Sequence, residues 1–129
     1  MELLSSTQSR PVTVLLVDDD ALVRSALRLI LGGDPGITVV GEAADGLEGV
    51  ALVGSLHPDV VLMDIRMPRL DGLAATERAL ALQPDLTVVV LTTFDQNEYV
   101  LRALRAGASG FLLKDAPASR LVAAVRAAA

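Results

Sequence analysis

Residues 12–20 read Val12-Thr13-Val14-Leu15-Leu16-Val17-Asp18-Asp19-Asp20, an apolar run of strand length that ends abruptly in carboxylates. Shorter apolar runs follow at residues 37–40, 60–63, 87–91 and 110–113. Between and after them lie segments of helix length, at residues 21–31, 46–56, 72–82, 96–106 and 118–129. In the first of these, Leu22, Ala26, Leu29 and Ile30 fall at helical spacing and are expected to form one apolar stripe. Punctuation agrees with this division. Gly32 and Gly33 can end the first helix, Asp34-Pro35-Gly36 makes a turn, Pro58 and Pro84 follow the second and third helices, Gly107 follows the fourth, and Pro117 suits the start of the fifth. Strands that are apolar almost throughout, alternating with helices, predict a parallel sheet covered on both faces. The expected fold is α/β, a (βα)5 doubly wound sandwich.

At 129 residues the chain has the size of one domain. The polar residues 1–10 read as a flexible N-terminal tail and 11–129 as the domain. Apolar residues make up 52%, yet no stretch approaches the roughly 18 residues that a membrane-spanning helix requires. This content therefore belongs to a core, built from Val, Leu, Ile and Ala because there are only two Phe, one Tyr and no Trp. Without such a stretch membrane insertion is not expected, and the formal charge of -5 would be repelled by a polyphosphate backbone, so direct nucleic-acid binding is not expected either. Absence of cysteine excludes disulfides, thiolate metal sites and thiol nucleophiles, and fits a cytoplasmic location.

The chemical groups fall at strand ends. Asp18, Asp19 and Asp20 follow the first run, Asp64 the third, Thr92 the fourth and Lys114 the fifth. In a sheet of order 2-1-3-4-5 the winding reverses between strands 1 and 3, and ligands bind in that crevice. Carboxylates gathered there repel one another unless a cation neutralises them. Oxygen-only ligands point to a hard ion, and Mg²⁺ fits better than zinc. A divalent ion and Lys114 together would balance three carboxylates. Such a site could receive a phosphoryl group, with a carboxylate attacking phosphorus and Thr92 donating a hydrogen bond to the transferred group. On charge and winding alone, either Asp18 or Asp64 could be the nucleophile.

Four strings, Val-Leu-Leu-Val-Asp-Asp (14–19), Asp-Ile-Arg-Met-Pro-Arg-Leu-Asp-Gly (64–72), Val-Leu-Thr-Thr-Phe (90–94) and Gly-Ala-Ser-Gly-Phe-Leu-Leu-Lys (107–114), resemble the receiver domains of bacterial two-component response regulators. The likeness runs from about Pro11 to Arg126. It implies a flavodoxin-like fold with Asp64 as phosphoacceptor. It also implies Mg²⁺ held by Asp18, Asp19, Asp64 and the main-chain carbonyl of Arg66. By the same resemblance Thr92 is the switch hydroxyl, Lys114 contacts the phosphoryl group, and Phe111 turns inward on activation. The implied donor is a sensor histidine kinase, and the only catalysis is the domain's own phosphoryl transfer and autodephosphorylation.

Leu-Thr-Thr-Phe-Asp and Phe-Leu-Leu-Lys-Asp most resemble receivers of transcription regulators with a C-terminal helix-turn-helix domain, which would lie outside this chain. Two departures are visible: Asp115 follows Lys114 where a cis proline is frequent, and Arg69 stands where glycine is frequent. Asp20 and Asp71 are expected as helix caps, and His57 as a helix-end residue without a catalytic part. Glu98, Arg102, Arg105 and Arg120 are either a solvated surface or an ion-paired homodimer face on helices four and five. Asp18-x-Asp20 with Thr92 and Lys114 is also similar to the haloacid-dehalogenase phosphatases, but Leu22 departs from their pattern and there is no cap domain. A pseudo-receiver, a binding module without the chemistry, would be marked by loss of an acidic residue, and none is lost.

Overall fold

Residues 10–93 and 97–129 are described by a computed structural model. Most of the expected tail and Gln96, the expected start of the fourth helix, lie outside the described residues. The elements run β1 (Val12–Val17), α1 (Ala21–Gly32), β2 (Ile37–Ala43), α2 (Gly46–Leu56), β3 (Val60–Asp64), α3 (Gly72–Leu82), β4 (Thr87–Thr92), α4 (Asn97–Arg105), β5 (Gly110–Leu113) and α5 (Ala118–Ala128). All strand pairs are parallel, in the order β2-β1-β3-β4-β5. This is the expected doubly wound, flavodoxin-like sheet.

Strand alternation divides the core in two. Leu15, Val17, Val61, Met63, Val88 and Val90 meet Val53, Leu73, Ala75, Ala79 and Ala103, so α2, α3 and α4 cover one face. Val14, Leu16, Val60, Leu62, Val89 and Leu91 meet Leu27, Leu31, Leu121 and Val125, so α1 and α5 cover the other. Burial on both faces is why the central strands carry almost no polar residue before their final positions.

The buried stripe of α1 differs from the expected one. Leu22 and Leu29 are each 81% exposed and Ala26 is exposed, whereas Leu27 and Leu31 are buried, with Val23 and Ile30 packed beside them. Apolar residues occupy two stripes of this helix, and spacing alone does not choose between them. The electrostatics bear on that choice: Arg24 Nε and Arg28 Nε, one turn apart, reach Glu42 of β2 at 3.0 and 2.6 Å. These ion pairs are compatible with Leu27 and Leu31 facing the sheet, where they pack in the core. Leu27→Ala is expected to cost roughly 2–4 kcal/mol, while Leu29→Gln stays within about 0.5 kcal/mol of wild type. Urea denaturation of the two variants checks this difference.

Strand β2 also runs further than residues 37–40. Its ladder with β1 shifts register between Val14, paired with Val39, and Leu15, paired with Gly41, and then continues to Ala43. The irregularity absorbs one residue, and Glu42 keeps its ion pairs at the sheet edge. Asp64 and Thr92 prove to be the last residues of β3 and β4 rather than the first beyond them. His57 supplies the expected helix-end bond to Val53 O at 3.0 Å, with φ 47°. Arg69 is left-handed at φ 69°, the conformation for which glycine is favoured. Among the described residues all peptide bonds are trans, including Lys114–Asp115. None of their helices is long and apolar enough to cross a membrane.

Candidate functional site

The site is assembled where β1, β3, β4 and β5 end. Asp18 N–H donates to Ala43 O at 3.0 Å, which extends the β1–β2 ladder past β1. The Asp18 side chain is held inward, with Oδ1 accepting from Asp20 N–H at 2.8 Å. Asp20 turns outward and caps α1 as expected, accepting from Leu22 N–H at 2.9 Å. Three adjacent aspartates therefore have separate situations: Asp18 is fully buried, Asp19 exposed and Asp20 committed to the helix.

Asp64 reaches the same crevice from β3. The loop after it is held tightly, because Gly72 N–H donates to Ile65 O at 2.6 Å. A Cβ at Gly72 would lie 2.0 Å from Asp64 O and 2.8 Å from Ile65 Cα. Asp71 caps α3 through Ala74 N–H at 2.9 Å, so cap and glycine together fix where the loop re-enters the fold. Carboxylate oxygens of Asp18, Asp19 and Asp64 lie within 4.8 Å of one another.

Lys114, just past β5, sends its ammonium across the crevice. Nζ stands 3.1 Å from both Asp18 Oδ2 and Asp64 Oδ1. Asp18 Oδ2 is buried, with the Lys114 ammonium as its charged neighbour. Burial opposes the charge on Lys114, but the two carboxylates outweigh it and hold the ammonium above its ordinary value. Burial acts most strongly on Asp64, followed by the Asp18 charge. Lys114 opposes both, Asp19 adds to them, and the carboxyl is pushed up to about 6. One ammonium does not neutralise this cluster. Three clustered carboxylates facing a single ammonium, an elevated Asp64 and an all-oxygen donor set suit a hard divalent cation.

Thr92 is buried at the end of β4, where its Oγ1 donates to Thr93 O at 3.1 Å and its carbonyl accepts from Lys114 N–H at 2.9 Å. The expected acidic and phosphoryl-contacting residues thus share one edge of the sheet. Phe111, on β5, stands apart from the cluster and is 50% exposed. Glu98, Arg102, Arg105 and Arg120 are exposed on α4 and α5, as are Leu101 and Leu104 on α4 and Leu113 at the end of β5.

Two features were missed in the sequence. Asp45 is buried and caps α2 through Glu48 N–H at 2.9 Å, while Glu48 Oε1 accepts from Ala44 N–H at 2.8 Å. The Asp-x-x-Glu spacing could have disclosed that arrangement. Arg66 has an exposed side chain directed to α4, with its guanidinium 4.9 Å from the Tyr99 ring centroid and Nη2 3.3 Å from the phenol oxygen. No local spacing signals a contact across 33 residues.

Known proteins share this sequence pattern and fold. The family model described as the response regulator receiver domain matches residues 14–126. The chain is 45% identical over 118 residues to the uncharacterized transcriptional regulatory protein YxjL of Bacillus subtilis, covering 92% of this chain and 54% of that relative. It is 43% identical to the transcriptional regulatory protein LiaR of the same organism, covering 91% of this chain and 56% of LiaR. The chain therefore spans about half the length of these curated relatives. The response regulator domain of Thermotoga maritima CheB superposes with TM-score 0.86 at 34% identity, covering 92% of this chain and 96% of that one. A LuxR-family two-component response regulator from Aurantimonas sp. SI85-9A1 gives TM-score 0.84 at 33% identity, with 91% and 84% covered. The four strings and the sheet order of this chain, with the family match over residues 14–126, mean that it belongs to the response regulator receiver domain family.

Proposed function

We propose that this domain is a phosphorylation-dependent signalling switch in which Asp64 accepts a phosphoryl group from a sensor histidine kinase. The supporting observation is the Asp18–Lys114–Asp64 arrangement, in which two buried carboxylates share one half-buried ammonium at 3.1 Å each. An oxygen of Asp64 attacks phosphorus, a P–O bond forms, and the P–N bond to the donor histidine breaks, with the electron pair returning to the imidazole. Lys114 offers positive charge to the incoming phosphoryl oxygens, and Thr92 offers its hydroxyl. Asp18, Asp19, Asp64 and the Arg66 carbonyl would hold Mg²⁺, which supplies charge compensation for the phosphoryl group when bound. Turnover of other substrates is not part of this function; the domain catalyses only its own phosphorylation and autodephosphorylation.

Output follows from a shift between two arrangements, in which Thr92 moves towards the phosphoryl group and Phe111 turns inward. Exposed Leu101, Leu104, Phe111 and Leu113 lie beside the charged residues of α4 and α5, which supports this face as the surface of a homodimer. Transcription would then be controlled through an effector domain outside this chain, in the cytoplasm and without nucleic-acid contact by the receiver itself.

Acetyl phosphate with Mg²⁺ is expected to add one phosphoryl mass to the protein, and EDTA to suppress it. No adduct in intact-mass spectra overturns the reading. Thr92→Ala is expected to accept the label but to lose a phosphorylation-dependent change in sedimentation. Identical wild-type profiles with and without label would refute control of assembly.

A further inference from the structure

Asp64, Ile65 and Arg66 form a short path from the acidic cluster to the surface. Asp64 is in the cluster, and Ile65 is buried and bound by the Gly72 amide at 2.6 Å. Arg66 is the first exposed residue of this path, and its guanidinium lies against a ring on a different element. Tyr99 belongs to α4 and packs against the core that contains Ile65, Leu73 and Ala103. A second guanidinium, that of Arg102, stands 5.7 Å from the same ring centroid. Cations beside a phenol ring are attracted by its π-face, and Arg66 adds a hydrogen-bonding contact to the hydroxyl. One side chain thus bridges the backbone two residues beyond Asp64 and the helix that follows β4.

We infer that Arg66 is a positioning residue: its anchorage on Tyr99 holds the backbone after Asp64 in place for cation binding and links occupancy of the acidic cluster to α4. This rests on the reading that Mg²⁺ binds at Asp18, Asp19 and Asp64. If the anchor holds this backbone ready, removing it weakens cation binding without removing any carboxylate. Linkage is reciprocal, so cation binding also alters the surroundings of Tyr99.

The chain contains one tyrosine and no tryptophan, so its tyrosine emission reports Tyr99 alone. A Mg²⁺ titration of the wild type is expected to give a saturable emission change. In Arg66→Ala that change is lost. Its half-saturating Mg²⁺ for acetyl phosphate labelling rises roughly two- to fivefold, the bias that an exposed cation–ring contact can supply. Tyr99→Leu, which leaves every carboxylate intact, is expected to show the same rise in labelling. Arg66→Lys keeps a cation within reach of the ring and is expected to lie between wild type and Arg66→Ala.

Circular dichroism checks that the variants are folded, and Arg66→Ala carries the test if Tyr99→Leu is not. A wild type that is labelled in a Mg²⁺-dependent way while Tyr99 emission stays unchanged overturns the coupling and leaves the receiver function standing. Equal half-saturation in wild type and Arg66→Ala does the same. Absence of both labelling and any Mg²⁺ response overturns both.

Discussion

Gly72→Ala is expected to destabilise the protein by roughly 3 kcal/mol, lowering its thermal midpoint by on the order of 10 °C. The added Cβ would meet Asp64 O at 2.0 Å and Ile65 Cα at 2.8 Å. Both atoms belong to the main chain at the end of a central strand, so neither can yield by a side-chain rotation. Relief requires moving the start of α3 away from β3, which would break the 2.6 Å Gly72 N–H to Ile65 O bond. The same displacement would disturb Asp64, so labelling should fall together with stability. Gly54→Ala is the control. A Cβ there meets only Leu82 Cδ1 at 3.8 Å, and replacing a glycine within α2 should stabilise by about 0.5–1 kcal/mol. Equal thermal midpoints for Gly72→Ala and wild type would contradict the close approach on which the site depends.

Asp64→Asn is expected to stabilise the metal-free protein at neutral pH, although it removes the central functional group. The Asp64 carboxyl is pushed up to about 6 by burial first and by the Asp18 charge second, from an ordinary value of 3.8. Between those values the folded protein binds more protons than the unfolded chain, so stability falls as pH rises through this window. Above it the ionised carboxylate carries its full cost. The shift sets an upper bound of about 3 kcal/mol; relaxation and solvent screening at the mouth of the site reduce the expected gain to about 1–2 kcal/mol. The stability difference between Asp64→Asn and wild type should therefore shrink as pH falls from 7.5 towards 4. Mg²⁺ should raise the wild-type thermal midpoint more at pH 7.5 than at pH 5, because protons and cation compete for the same oxygens. Denaturation at several pH values with EDTA measures the first effect, and the same series with Mg²⁺ the second. A metal-free Asp64→Asn protein less stable than wild type at pH 7.5 would contradict the assigned electrostatics.

The parts legible in the sequence are those decided by residue type at a strand end. Asp18, Asp64, Thr92 and Lys114 could be placed along one edge because apolar runs stop at them, and the doubly wound order then brings β1 beside β3. Asp20 and Asp71 were legible as caps because a cap acts over two or three residues.

What escaped depends on tertiary choice. Leu22 and Leu29 have the same apolar character and helical spacing as Leu27 and Leu31, and only packing of α1 against the sheet separates exposed from buried. The second apolar run stops at residue 40, yet β2 continues to Ala43, with Arg24 and Arg28 of α1 paired to Glu42 within it. Arg66 was legible only for its main chain, because the destination of its side chain is set by where α4 packs. The choice of nucleophile is of another kind. Asp18 and Asp64 are both buried and both face Lys114, so geometry leaves them closely matched, and the motif around Asp64 favours the latter.

That choice is tested most directly by locating the phosphoryl group after treatment with acetyl phosphate and Mg²⁺. Tandem mass spectrometry of wild type, Asp18→Asn and Asp64→Asn proteins is the measurement. One modification is expected in wild type, at Asp64, a slower modification at the same residue in Asp18→Asn, and none in Asp64→Asn. A phosphoryl group on Asp18, or an adduct that persists in Asp64→Asn, would contradict that choice.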